Sequence, residues 1–143
     1  MEKIIKITIC DNNQTIFNSI IRRLNEIGEI EVLDVSHMSR KTIKQGTEDI
    51  AIEYFYTEIS AKNVNKWNAL EFLAEKMNIK KEEIITIGDN INDKKMIEGA
   101  GLGIAMQNGA PDVQKIADYV TESNDNDGAA KALETVLLKQ ILQ

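Results

Sequence analysis

Two aspartates follow an apolar run at a place where polar side chains commonly do chemistry. Residues 84–87 form the run, Gly88 allows a sharp turn, Asp89 comes next, and Asp93 lies four residues further on. Ligands of open parallel sheets gather beyond the carboxyl ends of the strands. If a helix begins at about Asn90, the two carboxylates share one face of its first turn. Such oxygen ligands beside a helix N-terminus suit Mg²⁺, which typically takes one or two carboxylates, water and phosphate.

A second interpretation of the same residues requires no ligand. Asp89 and Asn90 are residue types that cap helices, and Asp93 would complement the positive end of the helix dipole. The local pattern favours neither a cap nor a metal site. Both interpretations are therefore open at this point.

Composition limits the class of protein. The chain has 143 residues, a net charge of -6 and 43% hydrophobic residues, which fits one soluble domain or one domain with a small appendage. The acidity argues against nucleic acid or a membrane as partner, and no window reaches the roughly 18 apolar residues of a membrane span. The N-terminus lacks a signal-peptide pattern, so a cytoplasmic protein is expected. Cys10 has no partner for an internal disulfide, and its place in an apolar run predicts a buried thiol.

The first part of the chain reads as a mixture of strands and a helix. Alternating or clustered Ile, Val and Thr indicate strands, and apolar residues three or four apart indicate a helix. The predicted strands are residues 3–10, 29–35 and 49–59, the predicted helix is 15–27, and the polar segment 36–48 is expected to be a loop or a poorly paired edge.

The second part alternates strictly between helices and strands. Trp67, Leu70, Leu73, Ala74 and Met77 form one predicted helical face. Further helices are predicted at residues 94–100, from Pro111 and at 127–142, and strands at 84–87, 102–106 and 119–120. Such alternation with short connections predicts a parallel sheet covered by helices. The expected domains are residues 1–60 and 61–143.

Specific motifs in the second part are similar to those of a known family. Residues 64–133 read VNKWNALEFLAEKMNIKKEEIITIGDNINDKKMIEGAGLGIAMQNGAPDVQKIADYVTESNDNDGAAKAL. This segment resembles the C-terminal part of the haloacid dehalogenase superfamily, specifically its Cof-type phosphatases with a large α/β cap. The similarity extends over residues 58–138 and combines a lysine that opens a helix, GDxxND, AGLGIAM, ADYVT and NDxDG. It implies an α/β fold: part of a Rossmann-like three-layer parallel sheet, preceded by a remnant of the cap.

The resemblance implies a role for each polar residue of the site. Asp89 would be a ligand of a Mg²⁺ cofactor, and Asp93 would belong to the same metal site as a second or water-mediated partner. Asn92 would lie near the phosphate. Lys66 would bind the phosphate and act in catalysis by neutralising the nucleophile and the transferring phosphoryl group.

Two positions depart from the family pattern near these residues. Trp67 stands where the family usually has a small residue, which is expected to narrow the approach to Lys66. Gln107, Asn108 and Gly109 stand where the family usually reads Gly-Asn-Ala, which is expected to alter a loop beside the site. Neither change removes a metal ligand.

The nucleophile motif of the family is the larger departure. Family members carry a DxDGT segment whose first aspartate attacks phosphorus and whose second is the acid and base. The nearest match directly after the first predicted strand begins at Asp11 but has Asn13 in the acid/base position, and an amide cannot exchange that proton at neutral pH. We prefer the interpretation that residues 1–60 correspond to the second half of the cap, so that Asp11 and Asn13 cap a helix. Ser36, Ser39 and His37 then have no role.

These observations predict the C-terminal part of a Mg²⁺-dependent phosphomonoester phosphatase that is truncated and inactive alone. One alternative is a non-catalytic binding or self-associating module, completed by a second copy or by a complementing N-terminal half. A further alternative is a weak phosphatase that uses Asp11. The expected ligand is a phosphorylated small molecule, whose identity the sequence does not indicate.

Overall fold

The structure, a computed structural model, describes residues 6–33 and 37–138. The chain divides into two compact units between Val64 and Asn65. The predicted boundary after residue 60 falls one residue before the end of a strand that continues to Ala61. Among the helices of the described residues, none has the length and hydropathy that crossing a membrane requires.

The first unit is built around one long central strand. Its elements are β1 (Lys6–Asp11), α1 (Gln14–Asn25), β2 (Ile30–Val32), β3 (His37–Gln45) and β4 (Glu48–Ala61). The strands β1, β2 and β3 all pair with β4 in antiparallel orientation. Phe55 of β4 pairs with both β1 and β3, and Ile59 pairs with both β1 and β2. Since one residue has one neighbour on each side, β1 lies along one edge of β4, and β3 and β2 follow each other along the other.

The segment before α1 caps that helix. The side chain of Asn13 accepts a hydrogen bond from the backbone N–H of Ile16 at 3.1 Å. Asp11 accepts one from the N–H of Asn13 at 2.6 Å. Phe17 anchors the helix, because its buried ring lies 5.9 Å from the ring of Phe55. Residues 11–13 therefore serve as a helix-capping turn in this structure.

The expectation of a loop or a poorly paired edge at residues 36–48 is wrong. Apart from residue 36, which lies outside the described residues, this segment contains β3, whose nine residues all pair with β4. A two-residue turn joins the strands, and Gly46 has the positive φ of 67° that tight hairpin turns require. Cross-strand backbone bonds form this hairpin, and the described residues 41–49 are largely exposed. Hydrophobic periodicity is therefore a poor guide to it.

The expected burial of Cys10 is also wrong, because Cys10 is exposed. Successive side chains of a strand point to opposite faces of the sheet. In β1, Ile9 and Asp11 are half-buried, so the residue between them lies on the open face. An apolar run does not reveal which of its members faces the core.

The second unit is a parallel sheet with helices on both faces. Its elements are α2 (Lys66–Met77), β5 (Ile85–Gly88), α3 (Lys94–Gly99), β6 (Leu102–Met106), α4 (Pro111–Gln114), β7 (Tyr119–Thr121) and α5 (Gly128–Leu137). The order of the strands is β5-β6-β7, and both pairings are parallel. The predicted α/β class with a parallel sheet is confirmed.

The central strand β6 organises two layers of core. On one face Ala105 packs in a cluster with Ile97 of α3 and Val113 of α4. On the other face Leu102 and Ile104 pack with Ala132 of α5. Because alternate residues of a strand face opposite sides, α3 and α4 cover one face of the sheet and α5 covers the other. The carboxyl ends of the three strands lie at one edge, where β5 leads into Asp89 and β6 into Gln107.

The apolar face predicted for α2 is only partly covered. Ala74 is buried and Trp67 and Leu70 are half-buried, whereas Leu73 and Met77 are exposed. Phe72, on the same helix, is exposed as well. The C-terminal half of α2 therefore presents large apolar side chains to solvent.

Candidate active site

Three of the predicted site residues meet at the carboxyl end of β5. Asp93 is buried, with 3% of its surface exposed, and its Oδ1 accepts a hydrogen bond from Nζ of Lys66. Its Oδ2 accepts from the backbone N–H groups of Asp89 and Asn90, at 3.0 and 3.1 Å. The carboxylate of Asp93 is thus engaged by three donors. It ties the first residue of α2 to the turn that follows β5.

A short 3-10 turn, Ile91–Asp93, places Asp93 in this position. Asn90 is its N-cap, and the side chain of Asn90 accepts from the N–H of Ile91 at 2.8 Å. Asp93 reciprocates by accepting from the backbone of Asn90, the arrangement of a capping box. Gly88 makes room for the folded-back carboxylate, because a β-carbon there would lie 2.5 Å from the β-carbon of Asp93. The cap expected at Asn90 is therefore confirmed, and Asp93, which was expected only to complement the helix dipole, closes the capping box.

Lys66 is held at the start of α2 by a similar device. Asn65 is the N-cap, and its side chain accepts from the N–H of Asn68 at 3.1 Å. The ring of the following residue, Trp67, lies against α3, where a β-carbon at Gly99 would fall 2.3 Å from it. Trp67 therefore packs α2 on α3, while the side chain of Lys66 stays 51% exposed.

The surroundings of Asp93 favour its ionised form. Burial is the largest single effect and by itself raises the pKa of the carboxyl. The hydrogen bond from Lys66, those from the N–H groups of Asp89 and Asn90, and the charge of Lys66 together outweigh it. The pKa of Asp93 consequently lies below its ordinary value of 3.8.

Asp89 differs from Asp93 in having an exposed side chain. Within residues 6–33 and 37–138, no hydrogen bond or ion pair uses its carboxylate. Its backbone, in contrast, is held on both sides: the N–H donates to Asp93, and the C=O accepts from the N–H of Ala110 at 2.8 Å. The backbone of Asp89 is therefore fixed, and its carboxylate is available to a ligand.

The donor set at this strand end fits Mg²⁺ in part. No group of three or more His, Cys, Asp or Glu residues that would hold a metal ion occurs in the described part of the chain. Mg²⁺ is commonly bound by one or two carboxylates and keeps several waters, so the single free carboxylate of Asp89 suits it. Both carboxylate oxygens of Asp93 already accept hydrogen bonds, so Asp93 is suited to orienting its neighbours and not to binding the metal directly.

The amide of Asn92 is the fourth predicted group. Asn92 is half-buried, and its Oδ1 has no solvent contact and no hydrogen-bond partner among the described residues. A buried unpaired acceptor is uncommon in folded proteins, and a bound water is one way to satisfy it.

The loop after β6, which the resemblance places beside the site, contacts the backbone of Asp89. Besides the bond from Ala110, Gly109 lies so close that a β-carbon there would be 2.8 Å from the carbonyl oxygen of Asp89. The sequence does not indicate that the contact is made through the backbone of Asp89. Gly109, the last residue of the altered Gln-Asn-Gly segment, is thus in contact with the site.

Comparison with known proteins identifies the group to which this site belongs. A sequence profile of the haloacid dehalogenase-like hydrolases matches residues 2–133. The chain belongs to the haloacid dehalogenase-like hydrolase family. Among its relatives, the phosphatase YwpJ of Bacillus subtilis is 44% identical over 80 residues, which are 56% of this chain and 28% of that protein. A phosphoglycolate phosphatase of Methanothermobacter thermautotrophicus is 35% identical over 96 residues, which are 64% of this chain and 43% of that protein.

Solved structures agree with this haloacid dehalogenase-like assignment. A haloacid dehalogenase-like hydrolase from Bacteroides thetaiotaomicron superposes with a TM-score of 0.64 at 29% identity. The superposition covers 95% of this chain and 45% of that structure. The chain therefore spans less than half the length of each of these three relatives.

The geometry predicts different consequences for the two aspartates when each becomes asparagine. Asp93→Asn removes a buried charge that three donors face and should lower the free energy of unfolding by about 1.5–3 kcal/mol. Asp89→Asn is the matched control, because it changes an exposed carboxylate without a partner, and its effect should stay within about 0.5 kcal/mol. Urea unfolding at pH 7 measures both.

The low pKa of Asp93 also predicts a pH dependence. A group whose pKa is lower in the folded state contributes stability above its unfolded pKa and loses that contribution as pH falls through the folded value. The unmodified chain should therefore lose stability below about pH 4, and Asp93→Asn should lack that component. Two results would contradict this role of Asp93. One is an equal change in the free energy of unfolding for Asp93→Asn and Asp89→Asn, and the other is the same acid dependence of stability in the unmodified chain and in Asp93→Asn.

Proposed function

We propose that this chain is part of a Mg²⁺-dependent phosphomonoester phosphatase and contributes its metal-binding and charge-neutralising half. The supporting observation is that the backbone of Asp89, at the carboxyl end of β5, donates to the same Asp93 that accepts from Lys66, while the exposed carboxylate of Asp89 has no partner among the described residues. The names of its relatives YwpJ and phosphoglycolate phosphatase agree with this reaction class. The substrate class we propose is a phosphorylated small molecule, and the expected location is the cytoplasm.

Each residue has a distinct proposed role. Asp89 would bind Mg²⁺ directly, and Mg²⁺ would supply Lewis-acid stabilisation of the phosphate oxygens. Lys66 donates to Asp93 and, as an ammonium group with three donors, has capacity left for a phosphoryl oxygen. Asp93 would hold Lys66 and the backbone of Asp89 in place. The amide N–H₂ of Asn92 would donate to the phosphate.

The same proposal predicts little turnover by these 143 residues alone. Metal and lysine stabilise developing charge, but covalent transfer also requires a carboxylate nucleophile and an acid/base. The DxDGT motif is absent from the sequence, and Asp11 takes part in the helix cap before α1. We assign the first unit to part of a cap domain, and the cap is where substrate selectivity would arise.

A titration with Mg²⁺ tests the metal assignment. Addition of Mg²⁺ should shift the NMR resonances of Asp89 and of the backbone amides beside it, and Asp89→Asn should abolish the shifts. The matched control is Asp127→Asn, which changes an exposed aspartate elsewhere in the second unit. Shifts that persist in Asp89→Asn, or that vanish in Asp127→Asn, would refute the role of Asp89.

A phosphatase assay tests the predicted lack of turnover. The purified chain should hydrolyse p-nitrophenyl phosphate with Mg²⁺ no faster than a blank, because no nucleophile is in place. Mg²⁺-dependent hydrolysis that survives repurification and disappears in Asp11→Asn would instead establish Asp11 as the nucleophile.

A second candidate function is a self-associating module without catalysis. Two observations favour it: the outer edge of β5 has no partner strand within the described residues, and α2 exposes Phe72, Leu73 and Met77. Unpaired sheet edges and contiguous apolar side chains recruit other chains. A second copy of this chain would cover both features.

Light scattering distinguishes this candidate. The unmodified chain should form a dimer, and Leu73→Glu should shift it to monomer because a charge would be buried in the contact. Leu133→Glu on α5 is the matched control, since Leu133 is 51% exposed and Leu73 is 52% exposed. A monomeric unmodified chain of ordinary thermal stability would rule the self-associating module out.

A further inference from the structure

The side chain of Gln114 holds the loop that contacts Asp89. Its Nε2 lies 3.2 Å from the carbonyl oxygen of Met106, 2.6 Å from that of Gln107 and 3.2 Å from that of Gly109. Three acceptors around one nitrogen identify it as the donor end of the amide, because a carbonyl oxygen in its place would be repelled. One side-chain amide thus fastens both arms of the turn after β6.

Gln114 is itself firmly anchored. It is the last residue of α4, and the preceding residue, Val113, is fully buried in the cluster with Ile97 and Ala105. The loop is fastened at a second point, because the side chain of Asn108 accepts from the N–H of Asn124 at 2.8 Å. The loop that follows β6 is therefore bonded both to α4, through Gln114, and to the segment that follows β7, through Asn108.

This loop contacts the backbone of Asp89. The N–H of Gly109 donates to Met106 at 2.9 Å and closes the turn, which presents the N–H of Ala110 to the carbonyl of Asp89 at 2.8 Å. The N–H of Asp89 donates to Asp93, so both backbone polar groups of Asp89 are bonded and only its side chain is free to rotate. Metal affinity depends on such supporting contacts, whose loss typically costs about 10- to 100-fold.

We infer that Gln114 is a positioning residue: its amide holds the 106–110 loop closed on the carbonyl of Asp89 and thereby fixes the carboxylate for Mg²⁺. This inference rests on the proposed function of Asp89 as a metal ligand. It assigns a role to a residue that touches neither metal nor phosphate.

Substitution of Gln114 by methionine tests the inference. Gln114→Met keeps the length of the side chain but removes both N–H donors, so the loop should open more often. The amide hydrogen of Ala110 should exchange about 10-fold faster, and the Kd for Mg²⁺, from NMR titration, should rise about 10-fold. Gln107→Met is the matched control, because it removes an exposed amide from the same loop and should change neither quantity.

A second variant approaches the same contact independently. Gly109→Val leaves Gln114 intact but places a branched side chain against the carbonyl of Asp89, so it should also speed the exchange of the Ala110 amide and raise the Kd for Mg²⁺. It replaces Gln114→Met if that variant does not fold, which a loss of dispersion in its NMR spectrum would show.

The outcomes separate this inference from the proposal on which it rests. No response of the unmodified chain to Mg²⁺ would overturn the metal assignment and the inference together. A normal response to Mg²⁺ that is unchanged in Gln114→Met and in Gly109→Val would overturn the inference alone. Faster exchange of the Ala110 amide with an unchanged Mg²⁺ affinity would reduce the Gln114 contact to a structural one and would also overturn it.

Discussion

The candidate active site depends on one buried carboxylate. Asp93 joins Lys66, at the start of α2, to the backbone of Asp89 and Asn90, at the end of β5. A buried anion is costly unless donors surround it, and here three donors do so. The same hydrogen bonds that offset the cost of burial also set the position of the lysine and the path of the turn. The hydrogen bonds of Asp93 therefore contribute to the stability of the fold and to the geometry of the site at the same time.

Asp89 takes its position from constraints on two sides. Asp93 holds its N–H, and the loop fastened by Gln114 holds its C=O, while its carboxylate has no partner among the described residues. A rigid backbone with a free carboxylate suits a metal ligand, because little ordering remains to be done on binding. We propose that Mg²⁺ and phosphate meet here and that the remaining chemistry requires a nucleophile that the sequence pattern of this chain does not supply.

The motif-rich second unit could be predicted from the sequence, and the first unit only in part. Two of the three parallel strands, β5 and β6, are short and mostly apolar runs that end at Gly88 and Met106, and such runs are typical of a buried parallel sheet. The β3–β4 hairpin was not predictable in this way, because backbone pairing and the turn at Gly46 form it rather than burial. The exposure of Cys10 depends on strand orientation, which an apolar run leaves undetermined. The sequence indicates two aspartates at the site but not the difference between them. The carboxylate of Asp93 accepts three hydrogen bonds and that of Asp89 has no partner among the described residues, a difference that arises from packing around Gly88 and Gly109.

The most direct measurement of the central claim is the position of a bound cation. Crystals of this chain grown with Mn²⁺ in place of Mg²⁺ and with inorganic phosphate can be measured by anomalous scattering, which locates the metal without reference to activity. Our account predicts one strong peak about 2.1 Å from a carboxylate oxygen of Asp89, with the Lys66–Asp93 contact intact. A peak bound directly by Asp93 in place of Lys66, or no peak at Asp89 at saturating Mn²⁺, would contradict it.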